Sequence, residues 1–318
     1  GATIINTGIG WHEARIPTIA TQVPRAAFTW VTKKLKSEIA IPLCTSNRIN
    51  MPHVAEQVLA DGHADMVSMA RPLLADAEIV NKAAQGREDE INTCIACNQA
   101  CLDHTFSNKT ASCLVNPRAC HETELNFNPT TKKKKIGVVG AGPAGMAFAS
   151  LAAQRGHEVT LFDADKEIGG QFNMAKRIPG KEEFYETIRY FKKQIEITGV
   201  NLVLNKKVTE SDLTGFDEVI LATGISPRKI SIPGAELPKV LSYIEVLKGQ
   251  KIPGNKVAVI GAGGIGFDVS EYITTLNPEH VPTIPEWLEE WGIDPNNDVR
   301  GGIEGIQPVV PKPAREVV

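Results

Sequence analysis

The sequence predicts an α/β protein in which the C-terminal third of a TIM (β/α)8 barrel precedes a cysteine-rich loop and two Rossmann-like units. Three observations lead to this fold class. Strand and helix patterns alternate before residue 90, four cysteines cluster between Cys94 and Cys113, and two glycine motifs open at Gly140 and Gly261. With 318 residues and 42% hydrophobic content, the chain can bury cores for two or more domains.

Short apolar stretches alternate with helical patterns three times in the first ninety residues. Strands are predicted to begin at Thr3, Ile41 and Asp65, and helices are predicted over 25–38, 52–61 and 72–85. This alternation indicates a parallel sheet with right-handed crossovers. A complete (β/α)8 barrel needs about 250 residues, so we expect residues 1–90 to be its last third.

Candidate site residues, most of them polar, follow each predicted strand of this segment, at the rim where barrels carry their chemistry. In chain order they are Trp11, His12, Glu13, Ala14, Arg15, Asn47, Arg48, Ala70 and Arg71. The last two strand ends of a barrel often hold a phosphate, and the planar guanidinium of Arg48 or Arg71 suits a phosphate dianion. An ordinary surface ion pair is the alternative for each arginine.

His12 is a candidate proton donor. A lone loop histidine is usually structural or exposed, but this one lies at the predicted catalytic rim and is flanked by Trp11, Glu13 and Arg15. We therefore favour a catalytic role for His12.

The cysteine spacing predicts a [4Fe–4S] cluster. Cys94, Cys97 and Cys101 form a CxxCxxxC run that can turn its sulfurs toward one centre, and Cys113 supplies a fourth thiolate. Zinc, a disulfide framework and no metal at all are the alternatives; zinc ribbons, however, usually pair two CxxC knuckles. Cys44 and Cys120 are expected to lie outside the ligand set, as a buried thiol and an idle neighbour.

The first glycine motif has the full context of a dinucleotide site. Gly140, Gly142, Ala144 and Gly145 stand in a GxGxxG run that follows an apolar strand and opens a helix, and Asp163 ends the next strand. The glycines permit a tight turn, the approach of a pyrophosphate to the helix N-terminus, and close packing of the helix on the strand. The Asp163 carboxylate can accept hydrogen bonds from ribose. Downstream, a further close backbone approach to the dinucleotide is predicted at Gly169, Gly170 and Gln171.

The second motif comprises Gly261, Gly263 and Gly266, about 120 residues after the first, with an Ala-Thr-Gly strand end at 222–224 between them. Two such motifs imply two dinucleotides, one a flavin and the other a nicotinamide. The strand that would distinguish NADH from NADPH is predicted to begin near Glu316. The intervening segment 278–313 looks like an irregular insertion with one short helix near Trp287.

We expect four units: 1–90 as the barrel part, 91–131 as the cluster segment and linker, 132–252 as the FAD-binding domain and 253–318 as the start of the NAD(P)H-binding domain. The net charge of −3 indicates neither nucleic-acid nor membrane-surface binding. No apolar stretch reaches the roughly 18 residues of a membrane span and no signal peptide opens the chain, so a cytoplasmic location is expected. The abrupt ends suggest an internal piece of one longer polypeptide, continued on both sides.

The order of these motifs resembles the old yellow enzyme-like NADH:flavin oxidoreductases that carry an iron–sulfur cluster and a C-terminal electron-input module. The segments Gly10–Pro17, Cys94–Cys113, Asn116–His121 and Ile168–Phe172 look most like those of the bacterial 2,4-dienoyl-CoA reductases. The resemblance covers essentially the whole chain. It implies NADPH-dependent reduction of 2,4-dienoyl-CoA in the β-oxidation of unsaturated fatty acids, with electrons passing from NADPH through FAD, the cluster and FMN.

Carried over residue by residue, the resemblance places His12 at the active-site histidine, Glu13, Ala14 and Arg15 near the acyl-CoA, and Arg48, Ala70 and Arg71 at the FMN phosphate. It places the family's tyrosine proton donor in the barrel part that precedes Gly1. Related enoate reductases, trimethylamine dehydrogenase-like enzymes and electron-input subunits resembling the small subunit of glutamate synthase are the alternatives. The last would lack the barrel units of residues 1–90.

Overall fold

The structure is a computed structural model that describes residues 1–10, 14–228 and 230–318. The strands in these residues form three parallel sheets with the orders β1-β2-β3, β6-β5-β4-β7 and β8-β9. Their bounds are β1 Ile5–Asn6, β2 Leu43–Thr45, β3 Met66–Val67, β4 Lys135–Val139, β5 Glu158–Phe162, β6 Asn201–Val203, β7 Glu218–Leu221, β8 Lys256–Val257 and β9 Glu316–Val317.

Eleven α-helices accompany these strands in the described residues. Their bounds are α1 Trp30–Lys36, α2 Pro52–Ala60, α3 Arg71–Ala75, α4 Ile79–Ala84, α5 His104–Phe106, α6 Pro143–Gln154, α7 Phe172–Ala175, α8 Phe184–Thr198, α9 Tyr243–Leu247, α10 Gly264–Thr274 and α11 Ile284–Trp291.

The first sheet confirms the predicted strand–helix alternation of the barrel segment. Ile5 pairs with Leu43, and Cys44 pairs with Met66, in parallel register. All three residues of β2 are buried. This central strand is therefore covered on both faces, as parallel sheets require.

The helix predicted over 72–85 is instead two helices, α3 and α4. Asp76 between them is extended, with φ −146° and ψ 102°. Its carboxylate accepts hydrogen bonds from the Glu78 and Asn92 main-chain N–H groups and from Lys82 Nζ. An aspartate that bonds to nearby main chain in this way competes with the helix and ends it.

The four-stranded sheet forms the core of the first nucleotide-binding unit. Val138 on β4 and Leu161 on β5 are fully buried, and Met146 and Ala149 of α6 pack against them. Small residues on α6 let the helix approach the sheet closely. The strand and helix predicted from the first glycine motif are thus confirmed.

The C-terminal part of the chain contains the third sheet, β8-β9, and the insertion over residues 278–313. Lys256 pairs with Glu316 in parallel, which confirms the strand predicted near Glu316. The insertion carries α11, as predicted, and this helix packs on the barrel segment rather than on its own unit. Trp287 is 1% exposed and meets Phe28 edge to face at 5.8 Å between ring centroids.

Helix α8 joins the two halves of the molecule. Its C-terminus ends at Gly199 in the left-handed conformation, with φ 72°, which glycine adopts without strain. At its N-terminus, Glu183 contacts Arg25 and Arg48 of the barrel segment. Among the described residues, no helix combines the length and the apolar character that crossing a membrane requires.

Candidate functional site

The four predicted cluster ligands line one pocket. Cys94, Cys97, Cys101 and Cys113 share it with Arg71, which follows strand β3. Cys94 is buried, whereas the other three thiols are half-buried. A single π-helical turn over Gln99–Asp103 carries Cys101, and such turns are frequent at functional sites.

The environment of this pocket favours neutral thiols in the absence of a metal. Burial raises the pKa of Cys94 and of Cys97, and it raises the pKa of Cys113 to about 11. Metal binding displaces the thiol protons. A cation in the pocket would supply the positive charge that stabilises the resulting thiolates. This donor set fits an iron–sulfur cluster.

The remaining cysteines are placed as expected. Cys44 is buried in β2 and Cys120 is exposed, and all six cysteines are free thiols. Within the residues that the structure describes, no three His, Cys, Asp or Glu side chains are arranged to hold a single metal ion. The cluster therefore stays a prediction that rests on the shared pocket and the thiol chemistry.

Hydrogen bonds from the barrel segment hold the cysteine loop. Asn50, after β2, donates from Nδ2 to the Cys94 carbonyl oxygen at 2.9 Å. Arg71 donates from Nη1 to Asn98 Oδ1 at 2.6 Å, and Asn98 is left-handed with φ 60°. The pocket thus lies at the C-terminal rim of the barrel strands.

The guanidinium of Arg48 is buried and makes its hydrogen bonds through Nε and Nη2. It donates to the Val23 carbonyl oxygen at 2.7 Å and to Glu183 Oε1 at 2.7 Å. Burial lowers the pKa of Arg48, and the nearby Arg71 charge acts in the same direction, while Glu183 opposes both. The ion pair with Glu183 uses Nη2, and the phosphate contact of Arg48 stays a prediction.

Ala70 and Arg71 lie at the start of α3, directly after β3. The Arg71 guanidinium points toward the cysteine pocket through its bond to Asn98. Its contact with an FMN phosphate stays a prediction. Through Asn98, Arg71 joins the barrel rim to the cluster segment.

The first glycine motif has the geometry of a phosphate-binding turn. Gly140 is left-handed, with φ 108°, and a side chain there would overlap the Ala222 carbonyl oxygen. A side chain at Gly145 would overlap the Gly140 carbonyl oxygen, so this glycine lets α6 pack on β4. Gly142 caps α6, and Ala144 is exposed in its first turn. Open space faces Gly142, where a pyrophosphate can approach the helix N-terminus.

The structure brings the Gly169–Gln171 loop against this turn. A Cβ at Gly170 would lie 3.2 Å from the Gly142 Cα, and the Gly169 N–H donates to the Ala141 carbonyl oxygen at 2.8 Å. Gln171 donates from Nε2 to the Ile225 carbonyl oxygen at 3.2 Å. The two sequence signals therefore form one cradle for a dinucleotide.

Asp163 closes the same cradle. Its carboxylate accepts the Ala141 N–H at 2.6 Å and the Asp165 N–H at 2.8 Å. A carboxylate offers about four lone-pair sites, so acceptor capacity remains for ribose hydroxyls. The residues of this unit fit an FAD-type dinucleotide.

The second glycine motif repeats the geometry of the first. Gly261 is left-handed, with φ 121°, and a side chain at Gly266 would overlap the Gly261 carbonyl oxygen. Gly263 caps α10 and faces open space, as Gly142 does. The residues present fit a second dinucleotide.

His12 and Glu13, the predicted catalytic and substrate-binding residues, lie outside the described residues. Ala14 and Arg15 beside them are exposed. Arg15 lies on one wall of an open groove whose other residues come from the insertion, namely Glu290, Trp291, Pro308, Val310 and Pro311. The insertion, to which the sequence assigned no role, therefore faces the predicted substrate rim.

Two family matches cover most of the chain. Residues 1–90 match the NADH:flavin oxidoreductase / NADH oxidase family, and residues 134–286 match the pyridine nucleotide-disulphide oxidoreductases. The chain joins an NADH:flavin oxidoreductase region to a pyridine nucleotide-disulphide oxidoreductase region. The matches confirm the predicted fold class of a TIM-barrel part followed by Rossmann-like units.

Three relatives show how far the likeness extends. A metal reductase from Desulforamulus reducens is 39% identical over 85% of this chain, which covers 41% of that protein. A cinnamate reductase from Clostridium sporogenes is 35% identical over 77% of this chain and 37% of its own length. The solved complex of a 2-naphthoyl-CoA reductase with 2-naphthoyl-CoA is 31% identical, with a TM-score of 0.83, and matches 99% of this chain and 52% of that one. This chain thus spans about half the length of these proteins or less.

Sequence patterns gave no sign of the contacts that connect the flavin oxidoreductase region to the nucleotide-binding region. Arg25, Glu183 and Arg189 are central to these contacts, yet their partners lie about 100 residues or more away along the chain. Glu183 stands just before an amphipathic helix, a position that indicates no distant partner. Only the fold reveals that its carboxylate is buried.

Proposed function

We propose that the full-length protein is a flavin-dependent reductase that adds hydrogen across a carbon–carbon double bond conjugated to a carbonyl, with an unsaturated acyl-CoA as substrate. When bound, FAD, a [4Fe–4S] cluster and FMN supply the electron transfer that links NADPH to this bond. The family match over residues 1–90 supports FMN in the barrel, and the two glycine cradles support FAD and a nicotinamide.

The position of the cysteine pocket carries the proposal. Asn50 and Arg71 reach it from the barrel rim, and Arg189 of α8 reaches the segment that leads into Cys94 from the FAD-type unit. A pocket at the barrel rim, whose leading segment is held by the FAD-type unit, is where a one-electron carrier between two flavins belongs. An electron-input subunit without a barrel would have no use for this arrangement.

The residues of this chain bind and orient rather than carry electrons. The helix N-termini at Gly142 and Gly263 offer main-chain N–H groups to pyrophosphates. Asp163 is positioned for ribose. At the barrel rim, Arg15 is positioned to attract an anionic substrate arm, and His12 is the candidate for protonating the carbon next to the carbonyl as negative charge develops there.

The proposed substrate class is supported by the chemistry of double-bond reduction and by the similarity to known reductases. Reduction of a conjugated double bond takes up two electrons and two protons, and a thioester carbonyl stabilises the charge that forms after hydride addition. The cinnamate and 2-naphthoyl-CoA reductases support such an electron-poor, carbonyl-conjugated substrate. Within this class we propose 2,4-dienoyl-CoA, because the loop around His12 resembles that of the dienoyl-CoA reductases. A cytoplasmic location is part of the same proposal.

The test uses the full-length enzyme, purified and assayed without oxygen. NADPH-reduced enzyme is mixed with 2,4-dienoyl-CoA, cinnamoyl-CoA, free cinnamate or an Fe(III) chelate, and flavin reoxidation is followed by absorbance. Oxidised enzyme is mixed separately with dimethylamine, and flavin reduction is followed in the same way. We expect an acyl-CoA to reoxidise the enzyme fastest, with a product two mass units heavier than the substrate. Faster reoxidation by the Fe(III) chelate, or reduction of oxidised enzyme by the amine, with no reduced acyl product, would overturn the proposal.

A further inference from the structure

Helix α8 makes hydrogen bonds to residues 89–93, the segment that leads into the cysteine loop. The Arg189 guanidinium donates to the main-chain carbonyl oxygens of Asp89, at 2.5 Å, and Ile91, at 2.6 Å. It also donates to the Thr93 hydroxyl at 3.1 Å. Thr93 directly precedes Cys94, so these three contacts fix the backbone just before the first predicted cluster ligand.

The guanidinium is itself held in place. Glu186, one turn earlier on α8, accepts a hydrogen bond from Arg189 Nε at 2.5 Å, and its other oxygen lies 3.1 Å from Arg25. The five N–H donors of arginine form a rigid planar fork, which can serve a carboxylate and several carbonyl oxygens at once. Lysine has no equivalent fork.

The opposite side of the segment is equally fixed. Ile91 is 0% and Thr93 1% exposed. Asn92 donates its main-chain N–H to Asp76 and its side-chain amide to the Val115 carbonyl oxygen, two residues beyond Cys113. Movement of this segment would therefore displace both ends of the ligand set.

We propose that Arg189 is a positioning residue for the iron–sulfur site, which ties the backbone leading into Cys94 to the helix of the FAD-type unit. The inference rests on the cluster of the proposed function. Residues that orient metal ligands without touching the metal typically contribute about 10- to 100-fold to metal affinity or activity. Arg189 acts through Thr93 and the neighbouring main chain, so its loss should alter the cluster while sparing both glycine cradles.

The experiment compares Arg189→Gln and Arg189→Lys with Lys193→Gln in the full-length enzyme. Lys193 is the matched control, because it lies one turn further along α8 and contacts only the Asp89 side chain of the same segment, at 3.0 Å. Three quantities are measured: iron loss to a chelator, the midpoint potential of the cluster by electron paramagnetic resonance, and FAD reduction by NADPH.

We expect Arg189→Gln to lose iron about tenfold faster than wild type and to shift the cluster potential. Arg189→Lys should fall between the two, Lys193→Gln should match wild type, and FAD reduction should be unchanged throughout. If Arg189→Gln and Lys193→Gln behave alike, Arg189 has no positioning role.

A second, more conservative variant keeps the inference testable if Arg189→Gln does not fold. Thr93→Val removes one acceptor of Arg189, together with the hydrogen bond that the Thr93 hydroxyl donates to Met51 Sδ at 3.0 Å. The side chain keeps nearly the same shape, and the variant should accelerate iron loss in the same direction but by less. No acceleration in this variant overturns the inference. Wild-type enzyme that contains zinc in place of iron would overturn the proposed cofactor, and with it the role assigned to Arg189, so the two failures are distinguishable.

Discussion

The Glu183 carboxylate lies 2.7 Å from the Arg48 guanidinium, and these two side chains are 5% and 3% exposed. Arg25 binds the other carboxylate oxygen at 2.6 Å. The pair thus joins the loop after β2 to the residue that precedes α8. One buried carboxylate is shared by two guanidinium groups at the junction of the barrel segment and the FAD-type unit, and Glu186 supplies a second anion to Arg25 at 3.1 Å.

Glu183→Gln should destabilise the protein strongly. Removing one partner of a buried ion pair leaves uncompensated charge and typically costs about 3–5 kcal/mol. We expect a loss of this size in the free energy of unfolding of the full-length holoenzyme, measured by denaturant titration. The control is Lys36→Gln, which breaks the more exposed Lys36–Asp65 pair and should change little. Equal effects of the two variants would contradict a special role for the junction.

The same pair predicts a pH dependence. Burial alone would raise the pKa of Glu183, but hydrogen bonds and charges from Arg25 and Arg48 outweigh it and hold the pKa below the ordinary 4.5. A depressed folded pKa stabilises the protein above the unfolded value, and this stabilisation is lost as pH falls through the folded pKa. The stability difference between wild type and Glu183→Gln should therefore be constant above about pH 5 and shrink below it. A difference that grows on acidification would refute this assignment.

This junction shows what local sequence patterns omit. The βαβ units and glycine turns were predictable because each depends on residues close together in the chain, where periodicity and positive-φ glycines leave clear signals. The position of Arg48 after β2 predicts a phosphate contact. Its ion-pair partner, Glu183, lies 135 residues away and is brought to it only by the fold. Likewise, Asp76 breaks a helical pattern through a bond to Asn92, 16 residues further on.

Cys113→Ser and Cys120→Ser form a matched pair of cluster variants. Cys113 lines the pocket with the other three predicted ligands, whereas Cys120 is exposed and outside it. Anaerobically purified wild-type protein should contain about four irons and four sulfides per chain, Cys113→Ser should contain clearly fewer, and Cys120→Ser should match wild type. Iron and sulfide assays measure this. The opposite ranking, or stoichiometric zinc in wild type, would contradict the ligand assignment.

Gly142→Val and Gly263→Val test the two dinucleotide cradles. Both glycines cap helices in extended conformations, with φ −75° and −88°, and a Cβ at either position meets nothing within 4 Å. The fold should tolerate valine at both sites. The valine side chain should, however, occupy the space in which a pyrophosphate would bind. We expect Gly142→Val to lose FAD while keeping its iron, and Gly263→Val to keep both flavins while binding NADPH weakly. Flavin analysis and NADPH titration distinguish these outcomes, and loss of the same flavin in both variants would show that the sites are wrongly assigned.

His12, which lies outside the described residues, is the predicted proton donor and offers the sharpest test of the substrate chemistry. If it protonates the substrate, His12→Ala in the full-length enzyme should leave flavin reduction by NADPH unchanged, because the nicotinamide cradle at Gly263 belongs to another unit. Flavin reoxidation by dienoyl-CoA should slow by about 10²- to 10⁴-fold for a principal donor, and by less if the tyrosine implied by the family resemblance also donates.

Rapid mixing separates these two half-reactions of the His12→Ala enzyme. Arg15→Gln is the useful companion, since Arg15 lies on the groove wall facing Trp291 and is proposed to attract the substrate rather than to protonate it. It should raise the acyl-CoA concentration needed for half-maximal reoxidation and leave the limiting rate unchanged. A His12→Ala enzyme with normal FMN content and an unchanged limiting rate would show that this histidine has a structural role, because a proton donor cannot be removed without slowing the step that consumes the proton.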